Sequence, residues 1–148
     1  MAEIDRSLLG VWGPDSTMRV ETGKVREFAR AVKDPNPAYF ADDGALVPPT
    51  FLMTLAHWIK DLGETRSAVK LDYRRLLHGE QEFEYVAPIR AGDVLTFRSR
   101  TKDVFEKQGK RGGTMTFVIG ETEFRNQRGE IVAYMRNTAI ETADAVKE

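Results

Sequence analysis

The chain has no cysteine, only two histidines and no long apolar run, and each shortage closes off a class of function. Without cysteine there is no disulfide framework, no thiolate zinc site and no thiol nucleophile. No uninterrupted apolar stretch approaches the ~20 residues needed to cross a bilayer. Neither sign of charge is in excess, since 22 Lys and Arg face 23 Asp and Glu. That balance argues against a nucleic-acid or anionic-membrane partner. The opening residues Met1–Arg6 carry acids and no apolar run, unlike a secretory signal. Also missing are a phosphate-binding glycine loop, a His-Glu-x-x-His pair, a serine elbow and zinc spacing. The expectation is one cytoplasmic globular domain over residues 1–148, with 142–148 a polar tail and fraying already from Glu141.

What is present divides into a helical front and a strand-rich back. Thr22 can cap a helix that carries Val25, Phe28, Ala29 and Val32 at i, i+3, i+4 and i+7. Pro35 and Pro37 restrict Asp34 and Asn36, so 34–39 is expected to be a stiff, extended connector. Pro48 and Pro49 introduce a second helix, predicted over 50–62 and ended by Gly63. Its Phe51, Leu52, Met53, Leu55, Ala56, Trp58, Ile59 and Leu62 leave little polar face, so it is expected to be buried and wrapped by a sheet. Strands are predicted over 81–86, 94–106, 114–125 and 130–141, with a further edge strand over 17–20. Short glycine-containing loops join the last three as antiparallel hairpins, and Met115, Phe117 and Ile119 fall on one face. The class is α+β, a curved antiparallel sheet around a central apolar helix.

The stretch Asp34-Pro35-Asn36-Pro37-Ala38-Tyr39 resembles the Asp-x-Asn-Pro-x-His connector of the MaoC-like dehydratase superfamily, with Tyr39 in the histidine's place. Val47–Phe51, Leu77–Tyr85 and Pro88–Asp93 look like its N-terminal dehydratase domains, the subfamily related to fatty-acid synthase dehydratases. The resemblance runs over about residues 5–141. It implies a hot-dog fold, no cofactor or metal, and an acyl thioester carried on coenzyme A or acyl carrier protein. It also implies pairing with another hot-dog subunit, as a homodimer or a heterodimer.

Family members hydrate 2-enoyl thioesters or dehydrate (3R)-hydroxyacyl thioesters. That reaction needs a base at C2, an acid for the hydroxyl and donors for the thioester oxygen. Carried onto this chain, Asp34 and Tyr39 stand at the catalytic positions and Asn36, Thr50, Phe51 and His78 at substrate-binding ones. A tyrosine with its reference pKa of ~10 is ionised roughly once in a thousand at pH 7, so as a base it costs about 4 kcal/mol. Pro48 and Pro49 have no N–H, which leaves Thr50 and Phe51 as the oxygen's donors.

The reading that follows is the substrate-accommodating half of a hydro-lyase, active only beside a dyad-bearing subunit. Two others stay open: a protein that binds acyl thioesters without turnover, and a thioesterase in which Asp34 activates water. Asp34 and Asn36 are equally explained as residues that end a helix and fix a turn. His57 is a lone ionisable group on the apolar helix, and the bland reading is a core or interface histidine. Lys107, Lys110 and Arg111 at one hairpin, with Arg125 and Arg128 at the next, would suit the phosphates of coenzyme A or an acidic carrier, but solvated hairpin tips are the preferred reading.

Overall fold

The structure, a computed structural model, describes residues 3–59, 68–109 and 113–144. In chain order the elements are β1 (Glu3–Ile4), β2 (Ser16–Arg19), α1 (Thr22–Ala31), β3 (Val69–Lys70), β4 (Leu76–Tyr85), β5 (Val94–Gln108), β6 (Thr114–Arg125) and β7 (Ile131–Glu141). Short 3-10 segments lie at Arg6–Leu8, Pro37–Tyr39, Phe51–His57 and Tyr73–Arg75. Five strands form one antiparallel sheet in the order β2-β5-β6-β7-β4, while β1 and β3 pair separately. Among the described residues no helix is long and apolar enough to cross a membrane.

The two-residue period of the strands sorts the sheet into rows. Phe97, Phe124, Ala133 and Tyr85 lie side by side across four strands on the inner face. Val25 and Ala29 of α1 join Phe51, Leu52 and Leu55 in the core cluster at this end of the sheet. The Phe28 and Phe51 rings meet edge to face at 5.6 Å. At the opposite end Ala68, Val69 and Val118 form a second cluster, packed with Ile4, Leu8, Leu9 and Val104. This is the hot-dog arrangement, with apolar segments cupped by an antiparallel sheet.

The outer face is held by charge. Glu121, 3% exposed, accepts hydrogen bonds from Arg100 (2.6 Å), Lys102 (3.2 Å) and Arg136 (2.7 Å). Burial alone would raise its carboxyl, but the bonds from Arg136, Arg100 and Lys102 outweigh that and hold it at about 2. Arg136 reaches on to Glu82 and Glu84 of β4. Trp12 lies 4.8 and 4.2 Å from the guanidinium groups of Arg98 and Arg100.

Several expectations need correction. The helix predicted over 50–62 is a 3-10 segment at Phe51–His57 with Met53 47% exposed, and residues 60–63 lie outside the described residues. Two prolines strip donors from its start and Thr50 gives no capping bond, so the segment stays short and tight. The cap of α1 is Glu21 rather than Thr22, and its side chain makes no capping bond. Strand β4 begins five residues earlier than its predicted start, at Leu76, passing a bulge at Gly79. A Cβ on Gly79 would lie 2.7 Å from Ile140 Cδ1, so the bulge keeps a residue without one. Glu141, expected to begin a fraying tail, is 2% exposed and accepts from Arg75 (2.6 Å) and the Asp72 backbone N–H (2.9 Å).

Candidate active site

Helix α1 ends in a paired cap that sets the connector's direction. The Lys33 N–H donates to the Arg30 carbonyl (3.1 Å) and the Asp34 N–H to that of Ala29 (3.0 Å). This motif requires a left-handed residue, and Lys33 fills the place with φ 57°. Two side-chain turns follow. Asp34 Oδ1 accepts from the Asn36 N–H (3.1 Å), and Asn36 Oδ1 accepts from the Ala38 N–H (3.0 Å). Pro37 then opens a 3-10 turn through Tyr39, so the connector is compact rather than extended. A bond from the Leu46 N–H to the Ala38 carbonyl (2.9 Å) ties it to the return segment.

The turn directs Tyr39 inward. It is 5% exposed and belongs to the apolar cluster with Phe51 and Leu52. Asp34 is partly exposed and Asn36 exposed, each with a side-chain oxygen engaged by a backbone donor. Thr50 is exposed, and Phe51 is wholly buried. The Phe51 N–H donates to the Pro48 carbonyl (3.0 Å), which removes one of the two donors expected for a thioester oxygen.

Tyr85, which was not singled out from the sequence, closes the other side. Its hydroxyl donates to the Pro49 carbonyl (2.9 Å), tying the end of β4 to the start of the 3-10 segment. Burial, and then its neighbour Tyr39, push the Tyr85 phenol well above its ordinary value. Only its place next to the last residue of the strand predicted over 81–86 could have pointed to it.

Asp34, Asn36, Tyr39, Thr50 and Phe51 thus belong to one region, and His78 does not. It is exposed on β4, seven residues from Tyr85, or roughly 23 Å at the usual strand rise. His57 is exposed at the end of its 3-10 segment rather than in the core. The basic cluster also divides. Lys107 and the Arg125–Arg128 region sit at opposite ends of the β5–β6 hairpin, because successive turns of a meander alternate ends. Arg125 and Arg128 are paired with Glu123 (2.8 Å) and Glu130 (2.7 Å), while Lys110 and Arg111 lie outside the described residues. A depression of about 280 Å³ lined by Glu82, Lys102 and Arg136 lies in the outer charge network, away from the connector. Among the described residues, no three His, Asp or Glu gather as a metal site would.

The model of the FAS1-like dehydratase domain region matches residues 7–135. The chain belongs to that dehydratase family, within the MaoC-like superfamily. A UPF0336 protein of Streptomyces avermitilis is 36% identical over 138 residues, covering 87% of this chain and 89% of its own. The truncated HadBC complex of Mycobacterium tuberculosis, a (3R)-hydroxyacyl-ACP dehydratase, superposes with TM-score 0.70 at 26% identity. That match covers 93% of this chain and 99% of the other. A MaoC-like dehydratase superposes with TM-score 0.74 at 26% identity, covering 91% of this chain but 42% of its own.

Proposed function

We propose that this chain is the substrate-accommodating half of an enoyl-thioester hydratase or (3R)-hydroxyacyl-thioester dehydratase. A second hot-dog subunit supplies the Asp-His dyad. The observation that carries this reading is the state of the connector. Where the family places an imidazole, Tyr39 is packed into the apolar cluster. The carboxylate before it has an oxygen engaged by the backbone. That position offers no imidazole to take a proton from C2, whereas a rigid, aromatic-walled turn is well suited to shaping an acyl site. The HadBC match, a complex named as an acyl-carrier-protein dehydratase, supports the two-subunit form. Asn36 and Thr50 contact the substrate in this reading, Phe51 backs the wall, and the reaction runs in the cytoplasm on coenzyme A or carrier-protein thioesters.

The test is hydration of crotonyl-CoA and a longer 2-enoyl-CoA, followed by loss of enoyl absorbance. The chain alone should show no turnover, and addition of a dyad-bearing hot-dog subunit should restore it. Turnover by the chain alone would overturn the proposal. Thiol release from acyl-CoA by the chain alone would favour a thioesterase acting through Asp34. Thioester binding with no turnover beside any dyad-bearing subunit would favour a binding protein.

A further inference from the structure

The outer face of the sheet ends in an apolar row. Phe105 of β5, Phe117 of β6, Ile140 of β7 and Leu77 of β4 lie side by side across four strands. They share the face of Glu121 and Arg136, because an even number of residues separates Phe117 from Glu121 and Ile140 from Arg136. Among the described residues neither apolar cluster includes any of the four. Leu77 is 42% exposed and the other three are partly exposed. The Phe105 and Phe117 rings stack at 5.0 Å, with Lys107 Nζ 5.1 and 5.3 Å from their centres. A continuous apolar row on the solvent side of a sheet calls for a covering surface.

Beyond that row the same face carries a charge gradient. On the β5 side Arg98, Arg100, Lys102 and Lys107 stand against one acid, Asp103. Strand β4 on the other side carries Glu80, Glu82 and Glu84 and no lysine or arginine. Some of this charge is engaged within the chain, since Lys102 reaches Glu121 while Glu82 and Glu84 share Arg136. These three side chains still keep 44–52% of their surface in solvent.

We infer that this outer face joins two copies of the chain, back to back, about a two-fold axis parallel to the strands. That axis lays apolar row on apolar row and crosses the sides over, so β5 of each copy faces β4 of the other. Phe105 then meets the partner's Leu77, and Phe117 the partner's Ile140. Arg100 meets the partner's Glu82, Arg98 the partner's Glu84 and Glu121 the partner's Arg136. Asp103 falls opposite the partner's Glu80, and Lys102 beside it offsets that repulsion. A two-fold along the row would overlap little beyond the apolar residues and leave both charged sides facing solvent. The match of base to acid across the face is what names a second copy as the occupant. Strand β4 keeps its edge free in this arrangement, so the inference stands apart from the hydro-lyase reading and leaves room for a second hot-dog subunit. From strand rise and spacing the face measures roughly 20 by 25 Å, less than the ~800 Å² per partner of a standard interface, so a micromolar dissociation constant is expected.

Sedimentation velocity of the full chain at about 100 µM tests this. The chain should sediment as two copies in low salt, and its dissociation constant should rise about tenfold between about 50 and 500 mM NaCl. Phe105→Glu should halve the mass. Phe105 lies three strands from the β4 edge, so copies joined along that edge would keep their mass. Phe105→Thr is the milder variant should Phe105→Glu fail to fold. Glu84→Arg, which sets a base against the partner's Arg98, should weaken association about tenfold. A single copy throughout, a mass unchanged by both Phe105 variants, or indifference to Glu84→Arg would overturn the inference. The hydration assay reads the hydro-lyase proposal separately from all of these outcomes.

Discussion

Replacing Glu121 by Gln tests whether the outer charge network holds the sheet together. The carboxylate joins β5, β6 and β7 through Arg100, Lys102 and Arg136. Depressing a carboxyl from 4.5 to about 2 corresponds to about 3 kcal/mol of stabilisation at neutral pH. The partner side chains are 20–44% exposed, so solvent screening lowers the expectation to about 2 kcal/mol. Urea unfolding followed by circular dichroism at pH 7 should show that loss with an unchanged slope. Because the folded value is depressed, the contribution is complete above pH 4.5 and fades as pH falls towards 2. The gap between native chain and variant should therefore close over that window, since a protonated Glu121 is nearly a Gln. A gap below about 0.5 kcal/mol at pH 7, or one that does not narrow in acid, would refute the reasoning.

Lys33→Gly should raise stability by up to about 1 kcal/mol in the same urea assay, because it relieves the left-handed backbone of the α1 cap. Phe51→Ala should lose about 3–5 kcal/mol, the cost of emptying a fully buried aromatic site that packs on Phe28. Tyr85→Phe should cost about 1 kcal/mol through the lost bond to the Pro49 carbonyl. In an ultraviolet titration that variant should lack the phenol that ionises at the highest pH.

The sheet was legible because its strands are long and carry their own punctuation. Gly109, Gly113 and Gly129 mark the turns of β5, β6 and β7, and β6 was placed with both ends correct. β1 and β3 have two residues each, too few for any period to show, and they form only because the chain brings them together. The segment after Pro49 misled for a related reason. Its apolar content announced burial, but burial does not decide between an α-helix and a 3-10 turn. Motif resemblance found Asp34, Asn36 and Tyr39, because those residues are contiguous. Tyr85 could not be found in that way, because it matters through a carbonyl 36 positions away.

Among the described residues strand β4 ends the sheet, with β7 on one side and no strand on the other. A ten-residue edge of this kind offers a row of backbone donors and acceptors to any passing strand. In the isolated chain that row is an adhesive, and misdirected strand addition at high concentration is its natural failure. The bulge at Gly79 bends the row, and the acidic side chains Glu80, Glu82 and Glu84 lie along it. Both features discourage indiscriminate pairing without covering the edge, so, on the proposed two-subunit form, the chain should be best behaved when made together with a second hot-dog subunit.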